Sequence, residues 1–248
     1  MFQQKSIVGL VDFHKRFDQA NLILRSQYNF GEMGRIYRIN IDYAQPKFIP
    51  DKIFSTWAHR SNVFQYLRVH YVDQICFCTG ANFIDVNAYP VQGNLYREKR
   101  VYDQINVVIR WKAVDGTEFT SFHMTSSSEP SELPHTSKQI KFISEHGRFY
   151  SDQSNRGLQI LRNGQLTIPN PYFCHNYDLN GNPLKTVGYG IECIKFFIDN
   201  VNGHLKGCVK IKEIYAHESS CSFQECITST TILDKVNLDL QALSEDTI

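Results

Sequence analysis

The run Ile105-Asn106-Val107-Val108-Ile109-Arg110-Trp111, followed by Asp115-Gly116 and then Phe119-Thr120-Ser121-Phe122-His123-Met124-Thr125, decides the fold class. Ile105, Val107, Ile109 and Trp111 recur every second residue, the period of a strand with one buried face. Asp-Gly favours the positive backbone angles of a tight two-residue turn, so the second run returns alongside the first. Two more such turns follow. His146-Gly147 lies between strands predicted at 138–143 and 148–151, and Asn163-Gly164 between strands predicted at 158–161 and 166–168. A sheet built from hairpins is antiparallel and can leave one face to solvent or to a partner.

Upstream, Phe13, Phe17, Ala20, Leu24 and Tyr28 keep helical spacing, which predicts a helix over 11–30 ended by Gly31 and Gly34. Tyr37, Ile39, Ile41 and Tyr43 alternate with Arg38, Asn40 and Asp42, which predicts a strand. Residues 45–56, with Pro46 and Pro50, read as a loop. Ser61 or Asn62 can cap a helix that runs to Cys78 and closes at Thr79-Gly80. Residues 83–91 are a further strand. Downstream, Gly188-Tyr189-Gly190 precedes a helix with Ile194, Phe197 and Ile198, and Ser222-Phe223-Gln224-Glu225 is a capping box opening a last helix. Helices, a meandering sheet, then helices make one α+β domain over 1–248, with a large, mostly antiparallel, open-faced sheet.

The 248 residues are 42% hydrophobic and 13% aromatic, enough for a substantial core. The net charge of +1 and the absence of a dense Lys/Arg cluster give no footprint for nucleic acid. No apolar run approaches the ~20 residues of a membrane span, and Ile7-Val8-Gly9-Leu10-Val11 is shorter than a signal-peptide core and reads as a strand. Seven cysteines, with no paired spacing, read as reduced thiols in a cytoplasmic protein.

The chemistry concentrates on the second helix. At about 100° per residue, Tyr66, His70 and Asp73 fall in one sector. His70 titrates near neutrality and suits proton transfer at a hydroxyl. Asp73 can orient it or bind substrate, and the bland alternative is an i,i+3 surface pair. Tyr66 can donate to a substrate oxygen or pack against the sheet. Lys15 and Arg16 are candidates for substrate or cofactor phosphate, against an exposed first-turn charge for Lys15. His123 and Tyr172 are further candidates to line a cleft, each with a structural alternative. No metal is expected, because Asp73, Cys76 and Cys78 fan out from His70 by about −60°, −120° and +80° and cannot close one tetrahedron. Asp178-Leu179-Asn180-Gly181-Asn182 lacks the Glu of a calcium loop and reads as a turn.

Several of these segments, taken in order, resemble the Gfo/Idh/MocA oxidoreductases. Phe13-His14-Lys15-Arg16-Phe17-Asp18 resembles the family's segment after its last nucleotide-domain strand, and Gly34-Arg35-Ile36 its entry to the first C-terminal strand. Val69-His70-Tyr71-Val72-Asp73 resembles the H-x-x-D helix. Asp85-Val86-Asn87-Ala88 resembles the strand after it, and Gly188-Tyr189-Gly190 another recurrent segment. The resemblance implies the C-terminal substrate-binding and oligomerisation domain of an NAD- or NADP-dependent dehydrogenase acting on a sugar, cyclitol or related polyol. It implies that His70 handles the hydroxyl proton, that the open sheet face meets a second copy, and that residues 1–11 are the remnant of an interdomain strand. The 248 residues hold no G-x-G-x-x-G and no E-K-P, and Tyr66 and Arg68 stand where many members carry Asp and Gly. The chain alone is therefore expected to bind no dinucleotide and to be inactive without a separate Rossmann domain. A non-catalytic binding or scaffold module derived from such an enzyme is the alternative.

Overall fold

The computed structural model describes residues 8–130, 136–172, 174–216 and 221–245. Its centre is a six-stranded sheet. The strands are β1 (Ile36–Pro46), β2 (Asn82–Val91), β3 (Gln104–Lys112), β4 (Glu118–Glu129), β5 (Ser137–Ser144) and β6 (Arg148–Asp152), in the order β2-β3-β4-β1-β5-β6. Only the β1–β4 pair is parallel; the other neighbours are antiparallel. The sheet is mixed but dominated by the expected hairpins.

The alternation in β3 works as read. Ile105, Val107, Ile109 and Trp111 are all at most 1% exposed. They meet α2 (Val63–Thr79), while α6 (Cys226–Glu245) covers β2 and packs on α2. Helix α1 (Gln19–Asn29) lies against α2 from the other side. Asn62 caps α2, its side chain accepting from the Gln65 amide at 2.8 Å, and Gly80 closes it in the left-handed conformation with φ +64°. Among the described residues, no helix packs on the opposite sheet face. A row of paired residues crosses it, Asn87, Val108, Phe122, Asn40, Lys141 and Tyr150.

The inner side of β4 is polar: Ser121, His123, Thr125 and Ser127 are buried there. Buried polar groups need partners, and among the described residues all of these but His123 Nδ1 have one. Trp111 Nε1 donates to Ser121 Oγ at 2.8 Å, and Ser121 Oγ pairs with His123 Nε2 at 2.9 Å. Arg68 Nε donates to Thr125 Oγ1 at 2.5 Å and reaches the Met124 carbonyl. Gln45 Nε2 bridges Ser127 Oγ at 2.9 Å and the Tyr66 hydroxyl at 2.6 Å. Tyr66 and Arg68 thus dock α2 onto a polar seam of the sheet.

Some expectations are corrected. The single helix over 11–30 is two elements, a 3-10 turn His14–Phe17 and then α1. Asp18 divides them in an extended conformation, because its carboxylate caps the Ala20 amide. The loop at 45–56 holds the end of β1 and a helical turn, Ile49–Ile53. The last helix begins at Cys226 rather than at the capping box. The serine half of the box forms, Ser222 Oγ accepting from the Glu225 amide at 3.4 Å, while the Ser222 backbone bridges Leu10 and the Glu225 carboxylate accepts from Arg16 at 2.6 Å. Short helices α3 (Asn94–Lys99) and α5 (Ile211–Ala216) join α4 (Tyr189–Leu205). Two ribbons stand apart from the main sheet: β7 (Ile160–Arg162) with β8 (Gln165–Thr167), and β9 (Cys174–Tyr177) with β10 (Pro183–Val187). The turn read at 178–182 joins the second ribbon, with Asp178 Oδ1 accepting from the Asn180 and Asn182 amides at 2.8 Å each. Of the proposed interdomain strand, residues 1–7 lie outside the described residues. Val11 donates to the Cys221 carbonyl at 2.6 Å.

The open sheet face

This face is mixed: Phe122, 41% exposed, Tyr150, 53% exposed, and Met124, 44% exposed, stand among Asn40, Asn87, Lys141 and the ion pairs of Arg110 with Asp85 and Glu118. We propose that a second copy of the chain covers it. The full chain is expected to run as a dimer or higher oligomer in light scattering, and Phe122→Asp to shift it toward monomer. A monomer at high concentration would remove this assignment.

Candidate functional site

One cluster of side chains gathers where the 3-10 turn meets the middle of α2 and the start of α4. Lys15 and Arg16 are buried, at 4% and 5% exposure, although a first-turn charge would ordinarily reach water. Arg16 forks onto Asp73, Nε to Oδ2 at 2.9 Å and Nη2 to Oδ1 at 2.5 Å, and its Nη1 donates to Glu225 at 2.6 Å. Burial opposes the Arg16 charge, but the bonds to Asp73 outweigh it and hold the guanidinium more firmly protonated than usual. The pair ties the turn to α2 and fixes where the two preceding residues point.

Those residues are His14 and Lys15. The His14 ring lies 4.4 Å from the His70 ring and stacks on Tyr189 at 5.3 Å. Lys15 Nζ donates to Gln153 Oε1 at 2.7 Å and sits over the Tyr71 ring at 4.5 Å. Burial first, then the charge of Lys138, pulls the Lys15 ammonium down to about 7. The His70 imidazole is pushed down to about 3, by burial first and then by His14 and Lys15. His70 is therefore neutral at physiological pH. Its Nδ1 is buried with no hydrogen-bond partner among the described residues. A buried, unanswered ring nitrogen is costly, and this one is closed to solvent and outside the lining of the clefts described below.

Beside this cluster opens a cleft of about 270 Å³, lined by Thr136, Lys138, Gln153, Asn170 and Tyr189 among others. Tyr189 also walls a second cleft of about 400 Å³, which contains Tyr172, Asp18 and Glu192. Asp18, Gln153 and Arg156 knit the two together: Gln153 Nε2 and Arg156 Nη2 both donate to Asp18 Oδ2, at 2.9 and 2.7 Å.

The sequence candidates separate accordingly. His70 and Lys15 are brought together, and Tyr172 lies on the neighbouring wall with Arg156 over its ring at 5.3 Å. Three others are placed elsewhere, although helical phasing put two of them in one sector with His70. Both oxygens of Asp73 are taken by Arg16, so it neither orients His70 nor faces a ligand. The Tyr66 hydroxyl is turned to Gln45, with its ring against Phe54 and Trp57. His123, 1% exposed, lies under the sheet against Phe64 and lines no cleft. Burial holds its pKa well below the ordinary value. Arg16 is a positioning residue. Sequence reasoning missed His14, Lys138, Gln153 and Tyr189. His14 and Tyr189 sit inside segments that the resemblance singled out, while Lys138 and Gln153 carry no local signal because only strand pairing brings them to the turn.

No family model and no curated protein matches the sequence. Solved structures do match. A scyllo-inositol dehydrogenase from Lactobacillus casei, with bound NAD(H) and scyllo-inositol, superposes with TM-score 0.66 at 13% identity, over 96% of this chain and 64% of its own. A myo-inositol 2-dehydrogenase from Lactobacillus plantarum gives 0.59 at 12% identity, over 93% and 62%. A myo-inositol dehydrogenase from Corynebacterium glutamicum gives 0.58 at 15% identity, over 93% and 61%. The α+β fold is the one these dehydrogenases contain and the one the Gfo/Idh/MocA resemblance implied. The chain spans less than two thirds of the length of each of the three. No helix among the described residues is long and apolar enough to cross a membrane.

Proposed function

We propose that this chain is the substrate-binding and oligomerisation part of an NAD(P)-dependent oxidoreductase acting on a hydroxyl of a sugar, cyclitol or related polyol. The observation that supports the reading is the cluster of His70, His14 and Lys15, joined through Tyr189 and Gln153 to a polar cleft, in a fold shared with inositol dehydrogenases. His70 accepts the hydroxyl proton, Lys15 and His14 set the charge around it, and the Arg16–Asp73 pair positions the turn.

The residues described do not fit a dinucleotide. Gly188-Tyr189-Gly190 does link a strand to a helix, but β10 is antiparallel to β9 and Cys193 stands where the third glycine of a pyrophosphate cradle belongs. No step through nicotinamide is therefore assigned to these residues. The cofactor, when supplied by residues beyond them, would take the hydride.

The test is binding first and turnover second. Titration of the 248-residue chain with myo-inositol, scyllo-inositol and glucose, followed by ligand-observed NMR, should show binding. His70→Ala should weaken it about fivefold, roughly 1 kcal/mol for one hydrogen bond, with unchanged circular dichroism. Unaltered affinity would remove His70 from the site. Incubated with NAD+ or NADP+ and a polyol, the chain should form no reduced cofactor, and formation of it would overturn the division of labour proposed here.

A further inference from the structure

The cleft walled by Tyr189, Gln153 and Lys138 holds more positive charge than its own carboxylates answer. Lys138 lines it, with Nζ 5.3 Å from the centre of the Tyr43 ring. Lys15 stands directly behind two lining residues, bonded to Gln153 and 5.9 Å from the Tyr189 ring centre. Neither lysine makes an ion pair among the described residues. The nearby carboxylates are occupied. Asp18 receives Arg156 and Gln153. Asp152 accepts from Gln139 and from the Ser154 amide, at 3.1 and 2.7 Å. Asp12 lies 3.5 Å from His14 with its own side chain 71% exposed. The described lining of the cleft includes no carboxylate. A buried cation without a counter-charge is costly. Both ammonium groups are held below their ordinary pKa, by burial in each case. An anion in the cleft would relieve both, and would also remove part of the positive charge that, after burial, depresses His70.

We propose that the cleft binds a polyol bearing an anionic group, a carboxylate or a phosphate, with Lys138 contacting the anion and Lys15 supplying charge from the floor. The proposal rests on the polyol reading above and narrows its substrate class. The neutral part of the ligand faces His70 and the anion faces β5.

The test is calorimetric titration of the full chain with matched ligands: myo-inositol and glucose as neutral polyols, glucuronate as the carboxylate, and glucose 6-phosphate as the phosphate. At least one anionic ligand should bind about tenfold or more tightly than the neutral pair, since a charge-assisted hydrogen bond is worth roughly 1.5–3 kcal/mol. Whichever of the two binds more tightly identifies the group. Its affinity should fall between about 20 and 200 mM salt, as an ionic contact requires, while neutral binding stays constant. Its binding should take up protons near pH 7, read from the dependence of the heat on buffer ionisation, because Lys15 is only partly charged in the free chain. Lys138→Gln should erase most of the preference, bringing the anionic ligand down toward the neutral pair. Equal affinity for neutral and anionic ligands, or a Lys138→Gln loss shared by all four, overturns the anionic class and leaves the polyol reading standing. Absence of binding by all four overturns both.

Discussion

Asp73→Ala should destabilise the chain by about 3–5 kcal/mol, the loss typical when one partner of a buried ion pair is removed. Asp73 and Arg16 have side chains 1% and 4% exposed and meet through two hydrogen bonds. Without the carboxylate, the buried guanidinium loses two charge-assisted hydrogen bonds, and Glu225, which it also meets, is 37% exposed. Urea denaturation should show a lower midpoint with little change in slope. The cost lies in the stranded charge rather than in the net worth of the pair, so Arg16→Met combined with Asp73→Leu should recover most of the loss. A double variant as unstable as the single one would mean that the pair itself, and not the orphaned cation, carries the energy. Asp73→Ala should also weaken polyol binding beyond its effect on folding, because the pair aims His14 and Lys15 at His70.

Stability should fall by roughly 2–3 kcal/mol between pH 6 and pH 5, through two histidines that the fold keeps neutral. His70 and His123 both have folded pKa values far below the 6.5 of the free side chain, from burial first and then from neighbouring positive charge. The sign follows from proton counting. Below about pH 6.5 the unfolded chain binds a proton at each histidine and the folded chain does not, so each lowers stability by about 1.4 kcal/mol per pH unit as pH falls. The folded state recovers nothing until His70 titrates near 3. His14, lowered in the same direction, adds to the slope. Lys15, at about 7, is charged in both states across this window and contributes its slope only above it. Urea denaturation at pH 7, 6 and 5 measures the effect. His123→Gln should remove close to half of the slope, and a flat profile in the parent chain would show that one or both rings carry a proton in the folded state.

The covering of α2 shows how sequence and tertiary structure divide the work. The helix itself was legible: its Asn62 cap, its Gly80 stop and its apolar face are local features, and local backbone preference sets them. The same holds for β3 and β4, where strict alternation and Asp115-Gly116 decide pairing between neighbours in the chain. Elements set mainly by contact were not legible. Asp18 caps α1 locally, but its other carboxylate oxygen serves Arg156 and Gln153, 138 and 135 residues away, which no local pattern shows. Glu225 leaves its capping box for Arg16, 209 residues away. The exposed polar strands β9 and β10 carry no periodic signal at all.

By itself the sequence determined the α+β class, the hairpins, the capped helix and the presence of His70 at its middle, since each depends on residues within a turn or a strand of one another. Only the tertiary structure decided what each member of the Tyr66, His70, Asp73 sector meets. The three span about two turns of helix, and along them Tyr66 meets a polar strand, Asp73 meets a buried arginine, and His70 meets the His14 ring. Lys138 and Gln153 join it through strand pairing that sequence spacing does not encode.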